Sequence, residues 1–541
     1  MIISKLKFFS ATIAFQFILN VSNSQVDQEQ IFKFNQVIEN INNFYVDSVD
    51  ESYLIEKAII ATLKELDPHS LYYPKEEVEE INRGLNGSFT GIGITYDIIE
   101  DTLMVISVLK NSPAAKAGLK PGDRIVQIQD QSIVGNGLND KRIKELFKGE
   151  KGKELIVILQ RRNHALINTS VILDEIPVNS ITSSFLYNND IAYIKLNRFG
   201  SKSVNEFKSA TDTLIKEGIT KMIIDLRDNS GGYLYVSVNL LENFLGKNTI
   251  VLYTKGDKSP DKEYKTQIEG KFKNIDLVVL IDETTASAGE IFSGAIQDWD
   301  RGIIVGRRSF GKGLVQKPVY LVDGSMIRLT IARYYTPSGR NIQKPYNLDF
   351  ETYENDLEDR YKKGELLHKD SIKHSDSIKY HTLSNHRVIY GGGGIVPDVF
   401  IPIDTLGYPG YYTKKINNGE ISEFVHIYVD KHRDYFENNF PNFNDFNKAY
   451  EFTKENAEEL IEYVYKDDRH LELYKIELTK SVSFYTHIKA LIADDLYDEN
   501  AFFKIYNNQD EAFQKAVEIL RNKKLYEEIL NGDVVGEYNE N

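Results

Sequence analysis

The chain turns on Leu277-Val278-Val279-Leu280-Ile281-Asp282-Glu283-Thr284-Thr285-Ala286-Ser287-Ala288-Gly289-Glu290-Ile291-Phe292. Its apolar run reads as a buried strand, the small polar residues after it end the strand, and helical spacing follows. Strand, turn and helix in that order are the unit of an α/β layer, whose functional loops lie at the carboxyl ends of the strands. Ser287 stands on the turn. With Glu290 three residues later it has the form of a helix-capping box. The same position exposes a serine beside free N–H groups that can stabilise an oxyanion. The local sequence allows both readings.

Outward from this stretch, Met222-Ile223-Ile224-Asp225-Leu226 is a second short strand, followed by Arg227-Asp228-Asn229-Ser230-Gly231-Gly232. Paired glycines let backbone N–H groups approach a bound group closely. Downstream, Ser309-Phe310-Gly311-Lys312-Gly313-Leu314-Val315-Gln316 sets a lysine between two glycines. A solvated turn lysine looks like this. So does a general base, if burial lowers its pKa from about 10.4 towards about 7–8. Gln316 then supplies the third group that orients the base. The α/β pattern covers about 174–402, and the charged, irregular stretch 346–387 reads as an exposed insertion.

Upstream, residues 88–161 are rich in β-branched residues and glycines, which fits a compact β module. It contains Gly91-Ile92-Gly93-Ile94, then Ser112-Pro113-Ala114-Ala115-Lys116-Ala117-Gly118-Leu119 and Pro121-Gly122-Asp123. Before it, Ile31, Phe34, Val37, Ile38 and Ile41 recur at helical spacing, and Asp67-Pro68-His69-Ser70 ends the helical region. Beyond 410 the chain is acidic, with 16 Lys/Arg against 27 Asp/Glu, and Ala512, Phe513, Ala516, Val517 and Leu520 again mark helix.

The whole chain has 541 residues, 41% hydrophobic and 27% charged, an ordinary globular balance. Lys+Arg 65 against Asp+Glu 80 gives −15, and phosphate binding needs a basic face, so nucleic acid is not an expected partner. With no cysteine, disulfides, thiol catalysis and Cys-ligated metals are excluded. His368, His374, His381 and His386 lack the spacing of a helical metal site, so a solvated loop is expected, with no metal and no cofactor. Lys5 and Lys7 precede an apolar run at 8–19 and small residues up to Ser24, the form of a secretory signal too short to span a membrane. An exported protein is expected: in the periplasm first, with full secretion or retention by an uncleaved signal left open. No stable membrane span is expected in the mature chain.

Taken together, these motifs resemble the C-terminal processing peptidases, or tail-specific proteases, across about residues 31–402. Leu66-Asp67-Pro68-His69-Ser70, the Gly91 entry, the Ser112–Asp123 elements, the Asn229 turn, the Ser287 turn and the Lys312 loop occur in the family's order. Tyr335-Thr336-Pro337-Ser338-Gly339-Arg340 and Gly394-Ile395-Val396-Pro397-Asp398 complete it. The resemblance implies a multidomain α+β chain: a PDZ module plus a crotonase/Clp-like α/β serine peptidase core, with N-terminal helices and a C-terminal helical region. The boundaries expected are 1–24 for the signal, 25–86 for the first helices, 87–165 for the PDZ module, 170–405 for the peptidase and 411–541 for the acidic helices.

It implies Ser287 as nucleophile, Lys312 (25 residues on) as general base and Gln316 as its orienter. Ala288 and one of Gly231 and Gly232 become the oxyanion donors, and Gly91, Ile92, Gly93 and Ile94 the loop that captures a C-terminal carboxylate. The partners implied are protein or peptide substrates with apolar C-termini, an activating adaptor, and a second copy of the chain met through the terminal helices 26–66 and 411–541. Two departures are visible: Ser230 stands where the family commonly has proline, and Lys148 precedes Gly149 in the last turn of the PDZ module where the family often has arginine. Two other classes share parts of the pattern. Intact Ser287, Lys312 and Gln316 count against a PDZ adaptor on a dead scaffold. The PDZ module and export signal count against an acyl-processing enzyme of crotonase-like architecture.

Overall fold

The computed structural model describes residues 28–533 except 136, 162–165, 347–349 and 374–377. The expected signal at 1–24, and His374, lie outside the described residues. Residues up to Asp67 form a separate unit. Its two helices are Gln28–Phe44 and Glu51–Lys64, the second capped by Asp50, whose side chain accepts the Tyr53 N–H at 3.1 Å.

In the rest of the chain, the layer that carries the Ser287 turn is a six-stranded sheet. Its order is Ile181–Tyr187, Ile191–Leu196, Lys221–Asp225, Asp276–Ile281, Ile303–Gly306 and Val399–Phe400. The first pair is antiparallel and every later pair parallel. Strand alternation sorts the apolar run at 277–281 between two cores. Leu277, Val279 and Ile281 join Phe207, Phe244 and Phe292 on one face, while Val278 and Leu280 join Phe513, Val517 and Leu520 on the other.

That second face corrects the expected division at the C-terminus. The acidic tail is not one helical domain. Helices from Gly410–Asn417 to Glu499–Tyr506 share an aromatic core that includes Tyr412, Phe424, Phe446 and Phe484. The last two, Glu511–Arg521 and Lys523–Asn531, instead cover this six-stranded sheet. The sheet needs them: its strands are apolar on both faces, helices Ser203–Lys216, Leu234–Leu241 and Ala288–Asp298 lie on one, and on the other Phe503 of Glu499–Tyr506 joins the last two.

A second sheet pairs Leu71–Tyr73 and Leu314–Tyr320 with the long strand Met326–Tyr335. The turn at Asp67-Pro68-His69-Ser70 is therefore followed at once by a strand that brings His69 beside the lysine loop. The β module has strand order Ile94–Ile99, Thr102–Val108, Asp123–Ile128, Glu154–Arg161 and Ile167–Ile172. Its sheet thus runs on past the boundary expected at 165. Ser88–Gly91 and Asp174–Pro177 pair as its neck. The module rests on the helical domain: Ile99, Met104 and Ile106 pack on Ile427, and Arg124 lies 3.8 Å from Asp430.

The stretch 346–387 is also more than an exposed excursion. It contains helices Phe350–Glu354 and Asp356–Lys362, and it buries Tyr353, Arg360 and Glu365.

Candidate active site

The strand Asp276–Ile281 delivers a tight turn. The Asp282 carboxylate accepts the N–H groups of Thr284 (3.1 Å) and Thr285 (3.0 Å), and the Thr285 hydroxyl reaches the Leu226 carbonyl at 2.8 Å. The chain then passes through Ser287 at φ +52°, ψ −112°, and helix Ala288–Asp298 begins. Such a backbone costs on the order of 1–3 kcal/mol for a residue with a Cβ, and it persists only where its surroundings hold it. It also lifts the serine out of the turn.

Glu290 supplies much of that hold. Its Oε2 accepts the Ser287 N–H at 2.8 Å, the carboxylate arm of the capping box. The same oxygen accepts the Lys312 N–H at 2.8 Å, while Oε1 accepts the Ser309 hydroxyl (2.6 Å) and the Gly311 N–H (2.7 Å). Burial pushes the Glu290 carboxyl above its ordinary range, and these hydrogen bonds pull the other way. On the carbonyl side, the buried Tyr334 hydroxyl lies 2.6 Å from the Lys312 oxygen and 3.1 Å from that of Ser287. The two segments that carry Ser287 and Lys312 are therefore fixed to each other through both their N–H and C=O groups.

The lysine amine has its own support. Lys312 Nζ donates to Gln316 Oε1 at 2.9 Å, and Gln316 Nε2 donates to the main-chain carbonyl of His69. Ser287, Lys312, Gln316, Gly231, Gly232 and Tyr334 all line one cleft of about 840 Å³. A chamber of about 900 Å³ under the helical domain shares Lys195, Asp228 and Phe503 with that cleft.

Opposite the serine, the Asn229 side chain donates to the Leu196 carbonyl at 2.6 Å and accepts the Gly231 N–H at 2.8 Å. Of the glycine pair, Gly231 thus has its donor occupied by the turn. Both are held at positive φ, +100° and +146°. A Cβ on Gly231 would sit 2.8 Å from the Ser287 Cβ and 3.0 Å from the Ala288 nitrogen, so the turn presses directly on the start of the helix. Ala288 is the first helical residue, where N–H groups have no intrahelical partner. Below the turn, burial alone would raise the Asp225 carboxyl, but the Arg227 guanidinium and the Lys195 ammonium hold it well below the usual carboxylate range. Arg227 also bonds Asp510 at 2.8 Å, which ties the tail to the turn of Asn229 and Gly231.

In the β module, Gly91 ends a strand, Ile94 begins the next, and Gly93 turns between them at φ +79°. The carbonyls of Ile92 and Gly93 accept the N–H groups of Ala114 (2.9 Å) and Leu109 (3.0 Å). The strand Ile94–Ile99 is an edge of its sheet, the placement that peptide addition as a further strand requires. Tyr96 on that edge donates to Asp140, at the start of helix Asp140–Leu146, at 2.5 Å.

The structure therefore brings Ser287, Ala288, Lys312, Gln316, Gly231 and Gly232 together, and it sets Gly91–Ile94 apart in the β module. Sequence reading missed four supporting groups: the wider reach of Glu290, the Tyr334 hydroxyl, the Asn229 side chain and the His69 carbonyl. Glu290 and Asn229 stood inside motifs already singled out. A main-chain carbonyl such as that of His69 leaves no trace in a sequence.

Comparison with known proteins gives matching descriptions. Residues 190–351 match Peptidase family S41, residues 104–161 a PDZ domain, and residues 411–498 a family of unknown function. A probable CtpA-like serine protease of Staphylococcus epidermidis is 31% identical over 61% of this chain and 67% of its own. The carboxy-terminal processing protease CtpB of Bacillus subtilis is 33% identical over 60% of this chain and 68% of its own. Among solved structures, a photosystem II D1 C-terminal processing protease is 23% identical, covers 70% of this chain and 95% of its own, and has a TM-score of 0.35.

Proposed function

This chain belongs to peptidase family S41, and from that premise we propose that it is an exported processing peptidase that cuts by a Ser287/Lys312 dyad. The Ser287 hydroxyl attacks the scissile carbonyl, and the neutral Lys312 amine takes its proton and returns it to the leaving amine. Water, deprotonated by the same lysine, then attacks the acyl-Ser287 ester and frees the serine. The N–H of Ala288 and that of Gly232 receive the oxyanion, since the Gly231 N–H is held by Asn229. Substrates enter as apolar C-terminal tails, added to the edge strand Ile94–Ile99, with the carboxylate at the loop Gly91–Ile94. No helix among the described residues is long and apolar enough to cross a membrane, and export rests on the basic-apolar start of the chain.

The observation that carries the reading is the Glu290 carboxylate, which binds the main chain of Ser287 and of Lys312 with one oxygen. The test incubates the protein from Gln25 onward, beside Ser287→Ala and Lys312→Ala, with an unstructured protein ending in apolar residues. A second substrate ends in charged residues, and fragments are read by mass spectrometry. The parent alone should cut, and should cut the apolar-tailed substrate faster. Equal cutting by parent and Ser287→Ala would remove the serine from the mechanism. Equal cutting of the two substrates would remove the tail preference alone.

A further inference from the structure

The stretch 350–365, which the dyad chemistry leaves unused, grips the lysine loop at Arg308, Ser309 and Phe310, and reaches Gly311 through Lys344. Arg360 donates to the carbonyls of Arg308 (2.6 Å) and Ser309 (3.3 Å), and Glu365 pairs with both Arg308 (2.7 Å) and Arg360 (2.8 Å). Phe310 lies in an edge-to-face cluster with Tyr353 (6.3 Å, 78°) and His69 (6.4 Å, 65°). The Lys344 ammonium sits 4.1 Å from the Phe310 ring and 4.2 Å from the Tyr353 ring, and Lys344 N–H donates to the Gly311 carbonyl at 2.9 Å. Asp356 anchors that ammonium at 3.0 Å.

The same stretch reaches the lysine amine from the other side. The Tyr353 hydroxyl, on a side chain only 6% exposed, meets His69 Nε2 at 2.6 Å, and the two rings pack edge to face at 5.4 Å. The carbonyl of that same His69 receives the Gln316 amide, and Gln316 receives Lys312. A side chain inside the stretch is thus three hydrogen bonds from the catalytic amine. Such a chain matters because a misplacement of about 1 Å at a reacting group can cost on the order of a hundredfold in rate.

We propose that the segment 350–365 is a brace for the general base, with Tyr353 a positioning residue that acts through His69 and Gln316 on Lys312. The proposal rests on Lys312 being the base. Tyr353 touches no substrate in this arrangement. Its loss should lower turnover and leave substrate binding alone.

The experiment uses the full mature chain after the parent and Ser287→Ala pair has met the test above, so that failure of the peptidase reading is seen first. Tyr353→Phe, Gln316→Ala and the double variant are compared by kcat and KM on one peptide, and by the rate at which a fluorophosphonate labels Ser287. Tyr353→Phe, which removes the short His69 contact and a long one from Gln343 (3.4 Å), should lose about three- to tenfold in kcat and in labelling rate, the size of one good hydrogen bond, with KM unchanged. The double variant should fall no further than Gln316→Ala alone, because both act on one chain of contacts. Tyr361→Phe, on an exposed residue of the same stretch, should match the parent. A Tyr353→Phe enzyme with the parent's kcat overturns the proposal, as do losses that multiply in the double variant. A loss that appears only as a lower melting temperature, with kcat intact below it, makes Tyr353 structural and overturns it too.

Discussion

Ser287 and Lys312 hang from a single atom: Oε2 of Glu290 accepts the backbone N–H of each at 2.8 Å. Two segments 25 residues apart are thereby set to one distance by a group that takes no part in the proposed chemistry. Glutamine at 290 offers one acceptor oxygen where four donors need two. Unpaired buried donors cost about 1–3 kcal/mol each. Glu290→Gln should therefore lower both stability and kcat, the latter by about tenfold or more. Urea titration and peptide turnover read the two effects separately.

Gly231 presses on the serine. A methyl group there would meet the Ala286 carbonyl and the Ser287 Cβ at 2.8 Å, and its φ of +100° is strained for any other residue. Gly231→Ala should reduce cleavage by at least about a hundredfold. The fold should survive, as seen by far-UV circular dichroism, because the strain is confined to the turn.

The last helices should behave as part of the peptidase. Phe513 is fully buried and packs edge to face on Tyr187 and Tyr193 of the sheet. Phe513→Ala should cost about 3–5 kcal/mol. If the tail were an independent appendage, the loss would spare activity at temperatures where the catalytic layer is folded. Activity and near-UV signal should instead disappear together on heating.

The helical domain carries a pH signature. Burial pushes the His487 imidazole down to about 4, where it accepts or donates to the Tyr412 hydroxyl at 2.9 Å. Free histidine titrates near about 6.5, so between the two values the unfolded chain holds a proton that the folded chain refuses. Stability is then complete above about pH 6.5 and falls as pH is lowered, by about 2 kcal/mol at pH 5. His487→Gln should lack this loss, and denaturant titrations at pH 7.5 and pH 5 on both proteins check it.

How much of this was legible in the chain differs element by element. The apolar run at 277–281, the small-residue turn at Ser287 and the glycines around Lys312 each report their local conformation, because strand burial, tight turns and positive φ restrict which residues fit. The turn and the lysine loop each left a second reading open, a helix cap at Ser287 and a solvated turn at Lys312. The resemblance to the C-terminal processing peptidases joined Ser287, Lys312 and Gln316 in one reading, and the structure sets all three on one cleft.

Other features were decided only when the chain closed on itself. Helical spacing at Ala512, Phe513 and Ala516 fixes an apolar stripe without naming the surface that will cover it, and the stripe went to the peptidase sheet rather than to the preceding helices. Charge at 346–387 suggested solvent, yet Arg360 and Glu365 are buried: the Glu365 carboxylate bridges Arg360 and Arg308, and Arg360 also donates to the carbonyls of Arg308 and Ser309. The Gln316 amide finds a main-chain carbonyl 247 residues away. Periodicity and turn chemistry act over one or two turns of chain, so the sequence by itself set the elements, and its motifs in order pointed to the candidate residues. Which donor meets which acceptor across those distances is a property of packing, and only the tertiary structure settled it.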